Sequence, residues 1–439
     1  MFKLSFRQII TVAMTFFSCT SAFALTGVLD DVHAVVEQNT ELADEISQQI
    51  SDEVVLQVSA EQLVGMTVEG LNELLGEQQL DSFVHEALDE NGQAVVAFEW
   101  MILLTDDEYQ KFTQLKLDGV QNIDVKRLPE LNLHIVKMRV NPQFDSAEQI
   151  KKTLNLSEQT IIERNHIYQP QAADSGQARH FKHQTACSDP LKFGLIDSQV
   201  NHKLAAFKQA NIISKSFLPP AQTAAFEHGT QVASLLVGKD EQINPLLPNA
   251  KLFSAGVFYQ RPNGQQGATA VSLAESIDWL LAERVAVINL SLTGPHNQIL
   301  QLAVQAADKK GAVLVAAVGN QGAAAAELYP AAYQSVIAVT AVNWQDQGYL
   351  FASQGKHLDF SAFGVSVNVL QANGEPISAS GTSFAAPVVA AHFACLRATG
   401  LASAKVLNKL SRQAKDLGQP GKDKQFGYGR IGESLKAHR

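Results

Sequence analysis

Two textures of apolar and polar positions follow one another along this chain. Between Val95 and Tyr168, "AVVAFEWMILLT" predicts a strand and "DDEYQKFTQL" a helix. "IDVKRL" and "LHIVKMRV" predict two strands about a turn at "PELN". "DSAEQIKKTL" reads as a second helix and "QTIIERNHIY" as a last strand. The order β-α-β-β-α-β is that of a small ferredoxin-like α+β domain, assigned to residues 95–168. Ahead of it, residues 25–94 mix acidic side chains with helical apolar spacing ("VEGLNELLGEQQLDSFVHEAL") and read as helical or partly disordered. Behind it, residues 169–184 are rich in Gln, Ala and Ser and read as a linker.

From residue 185 to 439 continuous apolar strands alternate with amphipathic helices. "LKFGLID", "AKLFSAGVF", "VAVINLSL", "AVLVAAVGN" and "SVIAVTAVN" predict strands; "TQVASLLVG", "AVSLAESIDWLLAE" and "ILQLAVQAADKKG" predict helices. Strands without polar alternation are buried on both faces, so the pattern predicts an α/β domain with a mostly parallel central sheet between helical layers. Functional groups in such sheets gather at the carboxyl ends of strands. Asp197 and Asn320 stand at such ends.

The first 24 residues change the picture from a bare fold to an address. Lys3 and Arg7 precede an apolar run from Ile9 to Phe17, and "SAFA" ends at Ala24 with small residues where signal peptidase needs them. The run is too short to remain as a membrane anchor, and no membrane partner is expected after signal removal. Cys19 follows Phe16, Phe17 and Ser18, a poor lipidation context. The chain is therefore expected in a periplasm or outside the cell. Its charge is divided: residues 8–110 carry 20 acidic side chains and no Lys or Arg, while residues 111–439 carry 32 basic against 24 acidic. This implies segments with different fates, the acidic part either solvated or paired with the basic remainder. No basic run with interleaved aromatics points to nucleic acid. Two cysteines survive signal removal, Cys187 and Cys395, which permits one disulfide or two buried thiols and has no zinc-site spacing.

Taken singly, the polar residues of the large domain have ordinary readings. Asp197 could open a turn, His228 in "FEHGTQVASLL" could cap a helix, and Asn320 in "AAVGNQG" could be a turn residue. Ser383 in "SASGTSFAAPVVAA" could merely begin a helix. Together they fill four linked roles. A serine hydroxyl needs a base to become a nucleophile, and a histidine supplies one near its own pKa. A buried carboxylate fixes the imidazole tautomer, and an oxyanion needs fixed donors such as a helix-start N–H and a side-chain amide.

The chain order Asp197, His228, Ser383 is that of subtilisin rather than of chymotrypsin or α/β-hydrolases. The surrounding stretches resemble the subtilisin-like serine peptidases, or subtilases: "HGTQVASLLVG" their histidine motif, "GTSFAAPVVAA" their serine motif. "VINLSLTGP" resembles the substrate-binding strand, "AAVGN" the oxyanion segment and "YPAAYQSVIAVTAVN" the segment after it. The resemblance covers about Leu191 to Gly432. It implies a three-layer subtilisin-like α/β domain, preceded by a ferredoxin-like propeptide that acts as intramolecular inhibitor, with "TIIERNHIY" as its tail. It implies Ser383 as nucleophile, His228 as base, Asp197 as its orienting partner, and Asn320 as oxyanion donor beside the Ser383 amide. Protein or peptide substrates would lie between Ser291, Leu292, Thr293, Val318 and Gly319 on one side and Gln266, Gly267 and Ala268 on the other. Leu328 is expected near the floor of the first pocket, favouring small or medium apolar residues there. Cys187 and Cys395, lying before the Asp197 strand and on the Ser383 helix, are expected to be neighbours in this fold. Pro387 is expected to be tolerated because early helical N–H groups lack partners anyway.

Several positions depart from the family pattern: Gln199 two residues after Asp197, Thr293 where a glycine is usual, Phe363 where a proline is usual, and a short "KDEQINP" without the calcium-loop pattern. No cofactor is implied and no calcium site is assigned. A catalytically silent binding protein is favoured only by Gln199 and Thr293. An α/β-hydrolase esterase is opposed by the chain order and by the absence of G-x-S-x-G at Ser383.

Overall fold

The structure is a computed structural model that describes residues 85–114, 120–171, 173–174, 183–218, 222–261 and 264–432. The signal reading over residues 1–24, and most of the acidic segment, lie outside the described residues.

In the small domain the chain forms β1 (Glu86–Leu88), β2 (Ala94–Leu104), α1 (Asp106–Phe112), β3 (Val120–Leu128), β4 (Leu133–Val140), α2 (Ala147–Thr153) and β5 (Ile161–Pro170). The four long strands lie in the order β5-β2-β4-β3, all antiparallel. From Trp100 to Leu104 strand β2 is apolar and buried because both of its faces are covered. Trp100, Ile102 and Leu104 pack with Phe112, Ile150 and Leu154 of the two helices and the turn after α2, while Met101 and Leu103 face the large domain. Thr105 starts α1 with a capping box, its hydroxyl accepting from the Glu108 N–H while Glu108 accepts from the Thr105 N–H. Strand β1 corrects the helical reading of residues 86–88. The turn "DENG" allows a hairpin instead, with Asp89 Oδ1 accepting from the N–H groups of Asn91 and Gln93. Glu86 then meets Arg261 of the large domain at 2.7 Å, one instance of the acidic part pairing with a basic side chain.

Beyond a two-residue strand β6 (Ala173–Asp174), the large domain supplies β7 (Lys192–Asp197), β8 (Asn211–Ser216), α3 (Glu227–Val237), β9 (Lys251–Gly256), β10 (Tyr259–Gln260), β11 (Gln266–Thr269), α4 (Ala270–Ala282), β12 (Val287–Leu290) and β13 (Leu292–Thr293). It continues with α5 (Gln298–Lys309), β14 (Val313–Ala317), β15 (Val336–Val342), β16 (Leu358–Phe363), β17 (Val367–Leu370), β18 (Pro376–Ser380), α6 (Thr382–Ala398) and α7 (Ser403–Gln413). Seven parallel strands are ordered β16-β15-β14-β12-β7-β9-β8. Helices α4 and α5 cover one face and α3 and α6 the other, giving the three layers. Strand order reverses between β7 and β12, so the carboxyl end of β7 opens on the crevice where such sheets hold their ligands.

The small domain rests on α4 and α5. Leu128, Leu131 and Ile135 join one core with Ile277 and Leu280. Asp278 of α4 accepts from the N–H groups of Glu130 and Leu131 at 2.7 and 3.0 Å. Asn165 accepts from the Val271 N–H in the first turn of α4, satisfying a donor that the helix itself leaves unpaired.

Candidate active site

Strand β7 delivers Asp197 to its carboxyl end, where the side chain is fully buried. Its Oδ1 accepts from the Ser198 N–H at 2.7 Å and meets His228 Nδ1 at 2.7 Å. His228 is the second residue of α3. Close approach of α3 to the end of β7 depends on the next residue, Gly229: a Cβ there would fall 2.1 Å from the Ser198 carbonyl oxygen. With Nδ1 donating to a carboxylate, Nε2 is the acceptor nitrogen of the ring. That Nε2 is buried without a hydrogen-bond partner.

Ser383 is the second residue of α6, and the ring of Phe384 after it lies 6.0 Å from that of His228. Pro387 is the sixth residue of α6, beyond the first four whose N–H groups have no helical partner. The expected reason for its tolerance therefore needs correcting: the missing N–H would have bonded the Ser383 carbonyl. Ser291 repairs the gap, its Oγ donating to that carbonyl at 2.8 Å and accepting from Asn289 Nδ2 at 2.9 Å. Asn320 lies beside the same helix start. Its Oδ1 accepts from the Thr382 N–H and hydroxyl at 3.1 and 3.0 Å, so the amide presents its NH2 end elsewhere.

The crevice is occupied by the chain itself. Strand β5 runs on to Pro170, two residues past the end that its pattern predicts, and continues into the site rather than into a linker. Ile167 and Tyr168 pair antiparallel with Thr269 and Ala268 of β11; Gln169 and Pro170 pair with Thr293 and Leu292 of β13. Gln171 then brings its carbonyl oxygen to Ser383, accepting from the Oγ–H and, at 3.3 Å, from the Ser383 N–H. Ser383 Oγ thus bonds a carbonyl where the residue pattern alone would have it bond His228. Past Gln171, Ala173 and Asp174 pair with Ser380 and Ala379 of β18, immediately before Ser383.

Residues 127–429 match the family model described as the subtilase family. This chain belongs to the subtilase family. The match begins well before Leu191, taking in the later strands of the small domain. Subtilisin DY of Bacillus licheniformis is 32% identical over 266 residues, covering 59% of this chain and 92% of that protein. The minor extracellular protease Epr of Bacillus subtilis (strain 168) is 37% identical over 209 residues, 46% of this chain, which spans about a third (32%) of Epr's length. Among solved structures, fervidolysin from Fervidobacterium pennivorans, a keratinolytic enzyme related to subtilisin, superposes with a TM-score of 0.63 at 17% identity. That alignment covers 79% of this subtilase and 61% of fervidolysin, and it shows a shared fold.

The expected substrate edges have distinct placements in this subtilase. Leu292 and Thr293 pair with the tail on one side, and Ala268 on the other. Gln266 and Gly267 pair instead with Gln260 and Tyr259 of β10. Ser291 turns its side chain to the α6 carbonyl. Val318 is buried, its N–H bonded to the Val339 carbonyl. Gly319 donates to Thr382 Oγ1 at 3.2 Å, and a Cβ on it would come 2.6 Å from Leu328. Gly294 and Pro295, which end "VINLSLTGP" but were not singled out among the expected substrate residues, also hold the tail. A Cβ at Gly294 would fall 2.4 Å from the Tyr168 ring, and the Tyr168 hydroxyl donates to the Pro295 carbonyl at 2.9 Å. The glycine following Thr293 in "SLTGP" was the available signal. Cys187 and Cys395 are joined as a disulfide. Among the described residues no cluster of three His, Cys, Asp or Glu side chains could hold a metal ion, and no helix is long and apolar enough to cross a membrane.

Proposed function

We propose that this chain is an exported serine endopeptidase made as a self-processing precursor, with Ser383 as nucleophile. The observation that carries the reading is the Gln171 carbonyl at Ser383, held by antiparallel pairing on two edges as an extended peptide substrate would be. Ser383 Oγ turns from the carbonyl oxygen to His228 Nε2, gives up its proton there and adds to the carbonyl carbon. Asp197 holds the ring and stabilises the imidazolium. The Ser383 N–H and the Asn320 NH2 receive the developing oxyanion. His228 then returns the proton to the leaving amine, the C–N bond breaks, and water hydrolyses the ester on Ser383.

In this reading residues 1–24 are removed on export, and residues 95–168 with their extension act as propeptide, first as tethered substrate and then as product inhibitor. Tethering gives the tail an effective concentration far above any free peptide. A fluorophosphonate probe should label wild-type protein at Ser383. Ser383→Ala should give a folded, unlabelled precursor that retains the small domain, and His228→Ala much the same, because the two residues act as a unit. Wild type and Ser383→Ala yielding the same uncut species would rule self-processing out. Identical shortening of both would assign the cut to another protease.

A further inference from the structure

We infer that the self-processing cut falls between Gln171 and Ala172, and that the mature protease selects glutamine before the scissile bond and tyrosine three residues earlier. The inference rests on the peptidase reading above and specifies its substrate. The Gln171 carbonyl is the group presented to Ser383, so the ester forms on Gln171, Ala172 leaves as the amine, and water releases the Gln171 carboxylate. Chain on both sides is held in register: Gln169 and Pro170 by β13 before the bond, Ala173 and Asp174 by β18 after it.

The side chains are read by polar contacts that few other residues can make. Gln171 is 7% exposed, and its Oε1 accepts from the Asn320 N–H at 2.9 Å. An apolar side chain would leave that N–H without an acceptor, and a Lys or Arg side chain has none to offer. A glutamate could accept, but its charge would be buried beside the developing oxyanion. The cavity of about 710 Å3 that Gln171 lines already carries Asp89, Glu90, Glu163 and Glu327 against Arg164, so a further carboxylate is disfavoured there. Neutral amide therefore suits the position better than carboxylate, and better than the apolar residue expected from Leu328. Tyr168 is fully buried, with its ring on Gly294 and its hydroxyl on the Pro295 carbonyl. Phenylalanine would fill the same space and leave that carbonyl without its donor.

Two measurements test this on the full chain. Mass analysis of the fragment first released by wild-type precursor should show a carboxyl terminus at Gln171, and the mature form should begin at Ala172. Mature enzyme should then be assayed on fluorogenic peptides ending Tyr-Gln-Pro-Gln, with Glu, Leu or Phe replacing the last residue and Phe the first. A kcat/KM at least tenfold higher for Gln than for Glu, Leu or Phe is expected, and a several-fold loss for Phe in place of Tyr. Release at another bond, or equal or faster cleavage after Leu or Phe, overturns the inference while leaving the peptidase reading intact. Failure to cut any peptide, with no labelling of Ser383, removes both.

Discussion

Ser291 Oγ stands 2.8 Å from the Ser383 carbonyl and replaces the helical hydrogen bond that Pro387 cannot make. The proline keeps the start of α6 open to an outside donor, and the strand connection after β12 supplies it. Ser291→Ala should orphan a buried carbonyl and cost about 1–3 kcal/mol. Pro387→Ala in the same chain should restore an N–H and recover much of that loss. Denaturant unfolding of the four proteins, in a Ser383→Ala background to prevent digestion, checks this. Additive single and double effects would mean that the two residues do not share the carbonyl.

Gly294 seats the Tyr168 ring where a Cβ would intrude. If the small domain is released as an inhibitor, as proposed, Gly294→Ala should weaken its inhibition of the mature enzyme by tenfold or more. A domain carrying Tyr168→Ala should discriminate little between wild type and Gly294→Ala. Inhibition titrations against a small fluorogenic peptide would read both effects.

If the small domain is released as proposed, His166 in β5 should give its docking a pH dependence. Asn297 Nδ2 meets its Nδ1 at 3.0 Å, and Asp89 meets its Nε2 at 3.3 Å. Burial pushes its pKa down; Asp89 and Glu90 oppose this, and the Arg164 guanidinium adds to it. A histidine held neutral in the docked state binds fewer protons there than when released. Docking is therefore full above about 6.5, the ordinary histidine value, and weakens as pH falls below it. Glu163 on the same strand has the opposite sign: burial pushes its carboxyl up, so its contribution is lost as pH rises above the usual glutamate range. His166→Gln should flatten the loss of affinity below pH about 6.5, and Glu163→Gln should leave that limb in place. Equal curves for wild type and His166→Gln would remove His166 as the cause.

The disulfide between Cys187 and Cys395 spans 208 residues of sequence. A loop of that length limits the unfolded chain by about 5 kcal/mol if the folded state is unstrained. Thiol titration of denatured Ser383→Ala should find the pair only after reduction, and reduction should lower its Tm. Equal titration with and without reductant would show that the bridge does not form.

The parallel sheet was legible because its inner strands are apolar on both faces, as in "LKFGLID" and "AVLVAAVGN". Edge elements were not. Strand β8, "NIISKS", is half exposed at the sheet margin, and β10, β11 and β13 are two to four residues long, too short for any period to register, so β11 and β13 were placed as substrate edges only by the family resemblance. Asp197, His228, Ser383 and Asn320 were found by chemistry in a fixed order, and the structure brings Asp197 to His228 and Asn320 to the start of the Ser383 helix. The path of the tail past Tyr168 was missed because Gln169, Pro170 and Gln171 carry no pattern of their own. They are ordered by the edges they meet.

Asp197, His228, Asn320 and Ser383 all lie between Cys187 and Cys395 in the sequence. If the chain is the peptidase proposed, its own copies expose it to stray cuts in its surface loops. One such nick inside this span leaves both fragments covalently joined through sulfur. A nicked molecule can then keep the four residues together, and a reducing environment would turn the same scar into loss of the enzyme.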